Sequence, residues 1–207
     1  KYKLLPQIIP IIEKKINSET TFFDLFAGGL NVGLNINNTD KKVFNDICSP
    51  LINMYNTIFK MDYKNLMHSI NYLINKFNLN KYNKESYEDF KMSYNYDTIY
   101  NKDICLLVLI YHSFNNMIRF NKNGKFNLPF GNRTFNENAQ ESLQQMHNSF
   151  SIDTVNFTSY DFNFNYLEKI IENNLLNDNS FFYIDPPYIN TDTTYNQNWT
   201  IEREKEL

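Results

Sequence analysis

Cysteine is scarce: Cys48 and Cys105 are the only two in 207 residues, far apart, with no C-x-x-C pair and no nearby histidine. Neither a structural zinc site nor a disulfide scaffold is indicated, and the usage suits a reducing cytoplasm. Long apolar runs are missing as well. The longest, Ile104 to Tyr111, is too short to span a bilayer, and no basic, hydrophobic signal segment opens the sequence. The expectation is a soluble intracellular protein with no membrane and no metal. Glycine (5) and proline (6) are few beside the excess of Asn, Lys, Ile, Tyr and Phe. An AT-rich genome imposes such a bias, so Asn content carries no structural weight. No internal repeat is present. The fingerprint G-x-G-x-x-G is absent, which disfavours a dinucleotide ligand.

What is present suffices for a core, with 42% hydrophobic and 16% aromatic residues, in one large domain or one domain with an insertion. The net charge of −3 divides unevenly along the chain. Residues 1–59 carry 6 Lys/Arg against 5 Asp/Glu, residues 60–133 carry 11 against 6, and residues 134–207 carry 3 against 12. A basic middle beside an acidic last third fits a chain whose central segment alone faces phosphates, although solvated helices also fluctuate this way.

The most informative stretch is Phe181 to Tyr188, FFYIDPPY. Four strand-like residues run into Asp185, Pro186, Pro187 and Tyr188, fixing a carboxylate and a ring at a strand's carboxyl end. Open α/β sheets place their chemistry there. Upstream, Leu4 to Ile16 has helical spacing interrupted by Pro6 and Pro10, so a short or kinked helix lying on the sheet is expected. Thr20 to Phe26 reads as a strand ending in Ala27-Gly28-Gly29, with a helix start after it whose amino terminus would add a positive dipole. A second strand, Lys42 to Asn45, ends in Asp46, 22 residues after Asp24, the acidic spacing of ribose-binding α/β folds.

Ser49-Pro50 then caps and starts a helix, and helical patterns follow after Asp62, at Lys84 to Tyr94 and at Lys102 to Ile118. This run of helices predicts an inserted lobe over 53–149, between two parts, 1–52 and 150–207, of a sheet of about four strands. Within the lobe, Arg119 to Arg133 holds the turn dipeptide Asn123-Gly124, so a hairpin with basic and aromatic arms is expected. Such a ribbon can lie in a DNA groove, where arginine reads guanine through two hydrogen bonds. Val155 to Phe157 is the third strand, Phe164 to Leu176 a helix, Asn190 to Asn198 a polar loop, and a last helix begins near Thr200.

DLFAGG (Asp24 to Gly29), NDI (Asn45 to Ile47), NMIRFNKNGKF (Asn116 to Phe126), PFGNRT (Pro129 to Thr134) and DPPY (Asp185 to Tyr188) stand in this order. Together they resemble the Dam family of DNA adenine methyltransferases, in particular its phage-type members. The resemblance implies a Rossmann-like sheet that binds S-adenosylmethionine and methylates the exocyclic amine of adenine in duplex DNA, within GATC. The amine's lone pair is delocalised into the ring. Asp185 and the Pro186 carbonyl can draw its protons out of plane, Pro187 shapes the turn and Tyr188 stacks on the base. Direct displacement from the sulfonium then suffices, and the Pro-Cys nucleophile of cytosine-ring enzymes is absent.

A base inside a duplex must be flipped out to reach such a pocket. By resemblance, Phe114 and Asn115 meet the disrupted stack. Met117, Arg119, Pro129 and Arg133 contact bases, and Asn121 and Lys122 contribute to the DNA surface. On the cofactor side, Asp24, Phe26, Ala27, Gly28, Gly29 and Asp185 line the methionine end, Asp46 takes the ribose hydroxyls, and Ile47, Asp161 and Phe162 meet the adenine. Lys1 matches the lysine closing the family's amino-terminal motif, whose glycines are missing here.

The family's sheet continues after DPPY with three more strands. The sequence thus reads as a fragment truncated at both ends, with the Asp185 strand as an unpaired edge, marginal stability and little activity. Alternatives are a DNA-binding remnant without turnover, or an amino-methyltransferase for cytosine amines, RNA or protein amides. Oligomeric state is not legible.

Overall fold

The computed structural model describes residues 2–96, 101–151, 153–162, 165–187 and 200–206. It divides into two compact units, residues 1–52 with 149–207, and residues 53–148. The strands are β1 (Thr21–Asp24), β2 (Lys42–Asn45), β3 (Val155–Thr158) and β4 (Ser180–Tyr183). The helices among the described residues are α1 (Leu5–Glu13), α2 (Ser49–Lys60), α3 (Tyr63–Lys76), α4 (Lys84–Tyr96), α5 (Lys102–His112), α6 (Glu137–Asn148), α7 (Tyr166–Glu172) and α8 (Ile201–Glu206). Lys1, Tyr188 and the polar loop expected at Asn190 to Asn198 lie outside the described residues.

All four strands are parallel and lie in the order β3-β2-β1-β4. The register sets Phe22 opposite Lys42 and Phe181, and Phe23 opposite Val43 and Phe182. Successive side chains of a strand leave on opposite faces, so Phe22 and Phe23 anchor different layers. On one face Phe22 packs with Leu5, Ile12, Ile16, Val32 and Ile36, so α1 covers this side. On the other, Phe23, Leu25 and Val43 pack with Tyr166 and Ile170 of α7. A sheet covered on both faces needs continuous apolar strands. The central β1 and β2 are wholly buried, whereas β4 is only partly buried along its length. Aromatic stacking ties β4 to the centre, with 4.6 Å between the Phe23 and Phe182 ring centroids and 6.1 Å between those of Phe22 and Phe181.

Several sequence expectations need correction. The helix foreseen after Gly28-Gly29 is only a 3-10 turn, Gly33–Asn35. Leu30, fully buried at φ 59°, breaks the helical path, and the Asn-rich chain beyond it offers poor helix formers. The turn is held by Lys42, whose Nζ donates to the carbonyls of Gly33 (3.1 Å) and Ile36 (2.6 Å). Lys42 is only 4% exposed, and burial pushes its ammonium down to about 8. Cys48, not Ser49, occupies the position before α2, its carbonyl accepting from Leu51 and Ile52 N–H groups. The FFYI strand is shifted: β4 stops at Tyr183, and Ile184 is exposed.

In the second unit α5 packs against α3 and α4. Ile104 to Leu109 are all buried, as the apolar sequence requires of a central helix. Asp62 caps α3 and Asn101 caps α5, each accepting two backbone N–H groups. The helix read to Ile118 ends at His112, where Ser113 turns extended and bridges Phe130. Helix α6 was not foreseen. The hairpin is reduced to a turn at Asn123-Gly124 closed by one isolated bridge, Phe120 to Phe126.

A Cβ on Gly33 would stand 2.0 Å from the Phe44 ring, which is fully buried on β2. Gly33→Ala is expected to cost about 1–3 kcal/mol through overpacking, with the urea midpoint lowered and the m-value unchanged.

Candidate functional site

The carboxyl ends of the four parallel strands open on one edge of the sheet, and the sequence-predicted catalytic and cofactor residues that are described follow those ends. Asp24 closes β1 and is 2% exposed, with Phe26, Ala27, Gly28 and Gly29 in the loop beyond. Gly28 has φ +46°, a backbone that side chains rarely adopt, so glycine is favoured there. Asp46 follows β2 and joins the two loops: its Oδ2 accepts from Gly28 N (3.0 Å) and its Oδ1 from Cys48 N (2.9 Å). Ile47 beside it is 65% exposed, an apolar side chain held out to solvent next to a fixed carboxylate. No α-helix follows the glycines, so individual N–H donors rather than a macrodipole set the polarity of this loop.

After β3 come Asp161 and Phe162. Asp161 accepts from both terminal guanidinium nitrogens of Arg203 in α8, and Arg203 also lies 4.7 Å over the Phe162 ring. Phe162 contacts Phe26 at 5.2 Å between centroids, so the loops after β1 and β3 meet. After β4 stand Asp185, Pro186 and Pro187, all half-buried. Tyr183 Oη donates to Asp185 Oδ2 at 3.0 Å. Sequence reading missed this contact. Tyr183 and Asp185 are two apart on the FFYIDPPY run, so an i, i+2 hydroxyl–carboxylate pair was the available signal.

Two further residues escaped the sequence reading. Asn45, 1% exposed, closes β2 with its side-chain amide inside the sheet edge. Arg203 offered no signal, being separated from Asp161 by 42 positions.

The basic hairpin of the second unit is fastened to α4. Asn95 donates from Nδ2 to the Phe126 carbonyl (3.0 Å) and accepts from Phe126 N (2.9 Å), and the Tyr87 hydroxyl donates to the Leu128 carbonyl (3.0 Å). Burial raises the Tyr87 phenol above its ordinary range, so it remains a donor. Lys125 reaches the Asn95 carbonyl and lies over the Tyr96 ring.

Among the residues expected to meet DNA, Phe114, Asn115, Lys122, Pro129 and Arg133 are exposed, and Met117 is half-buried. Asn115 and Asn116 both have left-handed backbones and set Phe114 outward at 52% exposure. Asn121 is a turn former: its Oδ1 accepts from Asn123 N and Lys125 N. Arg119 spends Nε and one terminal nitrogen on Asn127, so part of its fork is committed inside the hairpin.

Below Phe114 the chain crosses itself. Gly131 N donates to the His112 carbonyl, and Phe114 N donates to the Pro129 carbonyl. His112 is buried against the Val108 carbonyl, and burial holds its imidazole below the usual histidine range, in the neutral form.

A parallel sheet in this order, with a glycine loop, an acidic second strand end and an Asp-Pro-Pro turn converging on one edge, defines a Rossmann-like methyltransferase sheet. The whole of 1–207 matches the family described as D12 class N6 adenine-specific DNA methyltransferase, and the chain belongs to that family. Similar proteins include the modification methylase StsI of Streptococcus sanguinis, 35% identical over 95% of this chain and 28% of that protein. The type II methyltransferase M.FokI of Planomicrobium okeanokoites is 34% identical over 95% of this chain and 29% of its own length. The modification methylase LlaI of Lactococcus lactis subsp. lactis is 28% identical over 100% of this chain and 32% of its own. The chain thus spans about a third or less of these relatives. Among the described residues no helix is long and apolar enough to cross a membrane, and no cluster of His, Cys, Asp and Glu could hold a metal ion.

A Cβ at Gly131 would meet the Ser113 carbonyl oxygen at 2.1 Å, backbone against backbone. Gly131→Ala should force the crossing apart and lower the melting temperature, checked by calorimetry.

Proposed function

We propose that this chain carries the cofactor-binding and catalytic part of a DNA adenine methyltransferase. It takes the methyl group of S-adenosylmethionine to the exocyclic amine of a flipped adenine in duplex DNA, with GATC as the sequence to test first. On this reading 1–52 with 150–207 is the catalytic domain and 53–149 the target-recognition insertion. The place of action is the cytoplasm of a bacterium or phage-infected cell. The observation that carries the reading is Asp185, held by the Tyr183 hydroxyl at the carboxyl end of β4, directly beside β1 and its glycine loop.

The residues suit a nucleoside-bearing cofactor. Gly28 N and Cys48 N orient the Asp46 carboxylate, and each of its oxygens retains acceptor capacity for a ribose hydroxyl. Ile47 offers an apolar plate beside it, and Phe162 a ring in contact with Phe26. When bound, S-adenosylmethionine supplies a methyl group made electrophilic by its sulfonium.

The rest of the chemistry falls to this chain. Asp185 and the Pro186 carbonyl accept the two amine protons as hydrogen bonds, which returns the nitrogen lone pair from the ring to the attack direction. The Tyr183 hydroxyl fixes the carboxylate so that this geometry needs no reorganisation. In the other unit, Phe114, exposed beside two left-handed asparagines, is the residue that would fill the space a flipped base leaves, a role its exposure supports. Arg133, exposed beside the hairpin, is the favoured guanine reader, because Arg119 already bonds Asn127.

Incubation of the full-length protein with S-adenosylmethionine and GATC duplexes should give N6-methyladenine by mass analysis, with less in duplexes of altered sequence. Asp185→Ala is expected to lower the rate by about 10²- to 10³-fold. Tyr183→Phe should lower kcat by about 3- to 10-fold with KM for DNA unchanged. Methylation unaffected by Asp185→Ala would refute the assignment, and DNA binding without transfer would leave only a binding module.

A further inference from the structure

Asn45 is a buried side chain at the sheet edge whose amide makes four hydrogen bonds. Its Nδ2 donates to the carbonyls of Leu25 (3.2 Å) and Tyr160 (2.9 Å). Its Oδ1 accepts from the Thr158 hydroxyl and from Tyr160 N, both at 2.9 Å. An amide has two donors and two acceptor sites, so the side chain is fully used. The sheet does not require this, because backbone bonds already pair β2 with β1 and β3, and an apolar residue would fill the space without a polar group to satisfy. Instead the amide joins two loops that are distant in sequence. One is Leu25 to Gly29 after β1, the other Tyr160 to Phe162 after β3. The loops also meet through Phe26 and Phe162, 5.2 Å between centroids. The backbone of the same segment reinforces the link: the Asn45 carbonyl accepts from Ala27 N at 2.8 Å, and Asp46 N donates to Thr158 O.

We propose that Asn45 is a positioning residue for cofactor binding, its amide setting the separation of the loops after β1 and β3 that grip the two ends of the cofactor. The inference rests on the cofactor reading of the preceding subsection. Asn45 does not itself touch the cofactor; it acts through Leu25 and Tyr160. A wrong separation misplaces Phe26 and Gly28 against Phe162, while the DNA-facing hairpin belongs to the other unit and should be indifferent.

The test uses the full-length protein and S-adenosylhomocysteine, the unreactive product of methyl transfer, titrated by calorimetry. Asn45→Asp keeps shape but turns both donors into acceptors facing carbonyls, and Thr158→Val removes one bond at a partly exposed position where folding should survive. The expected result is cofactor affinity reduced about tenfold or more in Asn45→Asp and about two- to fivefold in Thr158→Val, since one hydrogen bond contributes a factor of that order. KM for the methyl donor should rise in step, with kcat at saturation and the affinity for duplex DNA within twofold of wild type.

If Asn45→Asp fails to fold, Thr158→Val decides alone. Unchanged cofactor affinity in the folded variants overturns the proposal. So does a parallel fall in melting temperature, DNA affinity and cofactor affinity, which would mark Asn45 as a residue of the fold only. A wild-type protein that binds no S-adenosylhomocysteine overturns the functional reading, and this inference with it.

Discussion

The in-register parallel pairing of β1 with β2 on one side and β4 on the other is the constraint on which the first unit depends. It places Phe22 and Phe23 on opposite faces, so that α1 and α7 each find an apolar row to cover. Parallel strands also share a carboxyl end, so one pairing brings the loops after Asp24, Asn45, Thr158 and Tyr183 to the same edge. A slip of one residue would exchange the two faces and move every loop by about 3.3 Å. The stacked pairs Phe23–Phe182 and Phe22–Phe181 resist such a slip on the β4 side, where no further strand is paired among the described residues.

Polar side chains complete what the strand ends begin. Asp46 catches Gly28 and Cys48, Asn45 catches Leu25 and Tyr160, and Tyr183 catches Asp185, so no loop at the edge relies on its own backbone alone. The second unit applies the same device to its hairpin, which has a single bridge of its own and depends on Asn95 and Tyr87 of α4. A ribbon too short to hold itself is thereby fixed to a helix, with its outer side chains left exposed. In both units loops are positioned by side-chain hydrogen bonds that tie them to rigid elements.

Much of this was legible beforehand. The strand runs around Phe22, Val43 and Phe182, the acidic residues Asp46 and Asp185, and the Asn123-Gly124 turn declared themselves by local pattern. Two helix expectations fail for different reasons. After Gly29 the local chain is at fault: Leu30 takes a left-handed backbone, and Leu30, Val32 and Ile36 are buried along an irregular path. The helix read through to Ile118 stops at His112 because Ser113 and Phe130 come together across the chain. Tertiary contact overrode local propensity in this second place. The roles of Asn45, Asn95 and Arg203 were not readable at all, because their partners lie far away in sequence.

The sequence by itself determined the chemical vocabulary: which carboxylates, glycines and aromatic residues follow strand-like runs, and in what order. These properties are local, and short-range sterics and apolar periodicity encode them directly. Only the tertiary structure decided the sheet order that sets β4 beside β1 and the amide of Asn45 between two loops. Those depend on contacts between segments separated by tens to more than a hundred residues, and no window of sequence contains both partners.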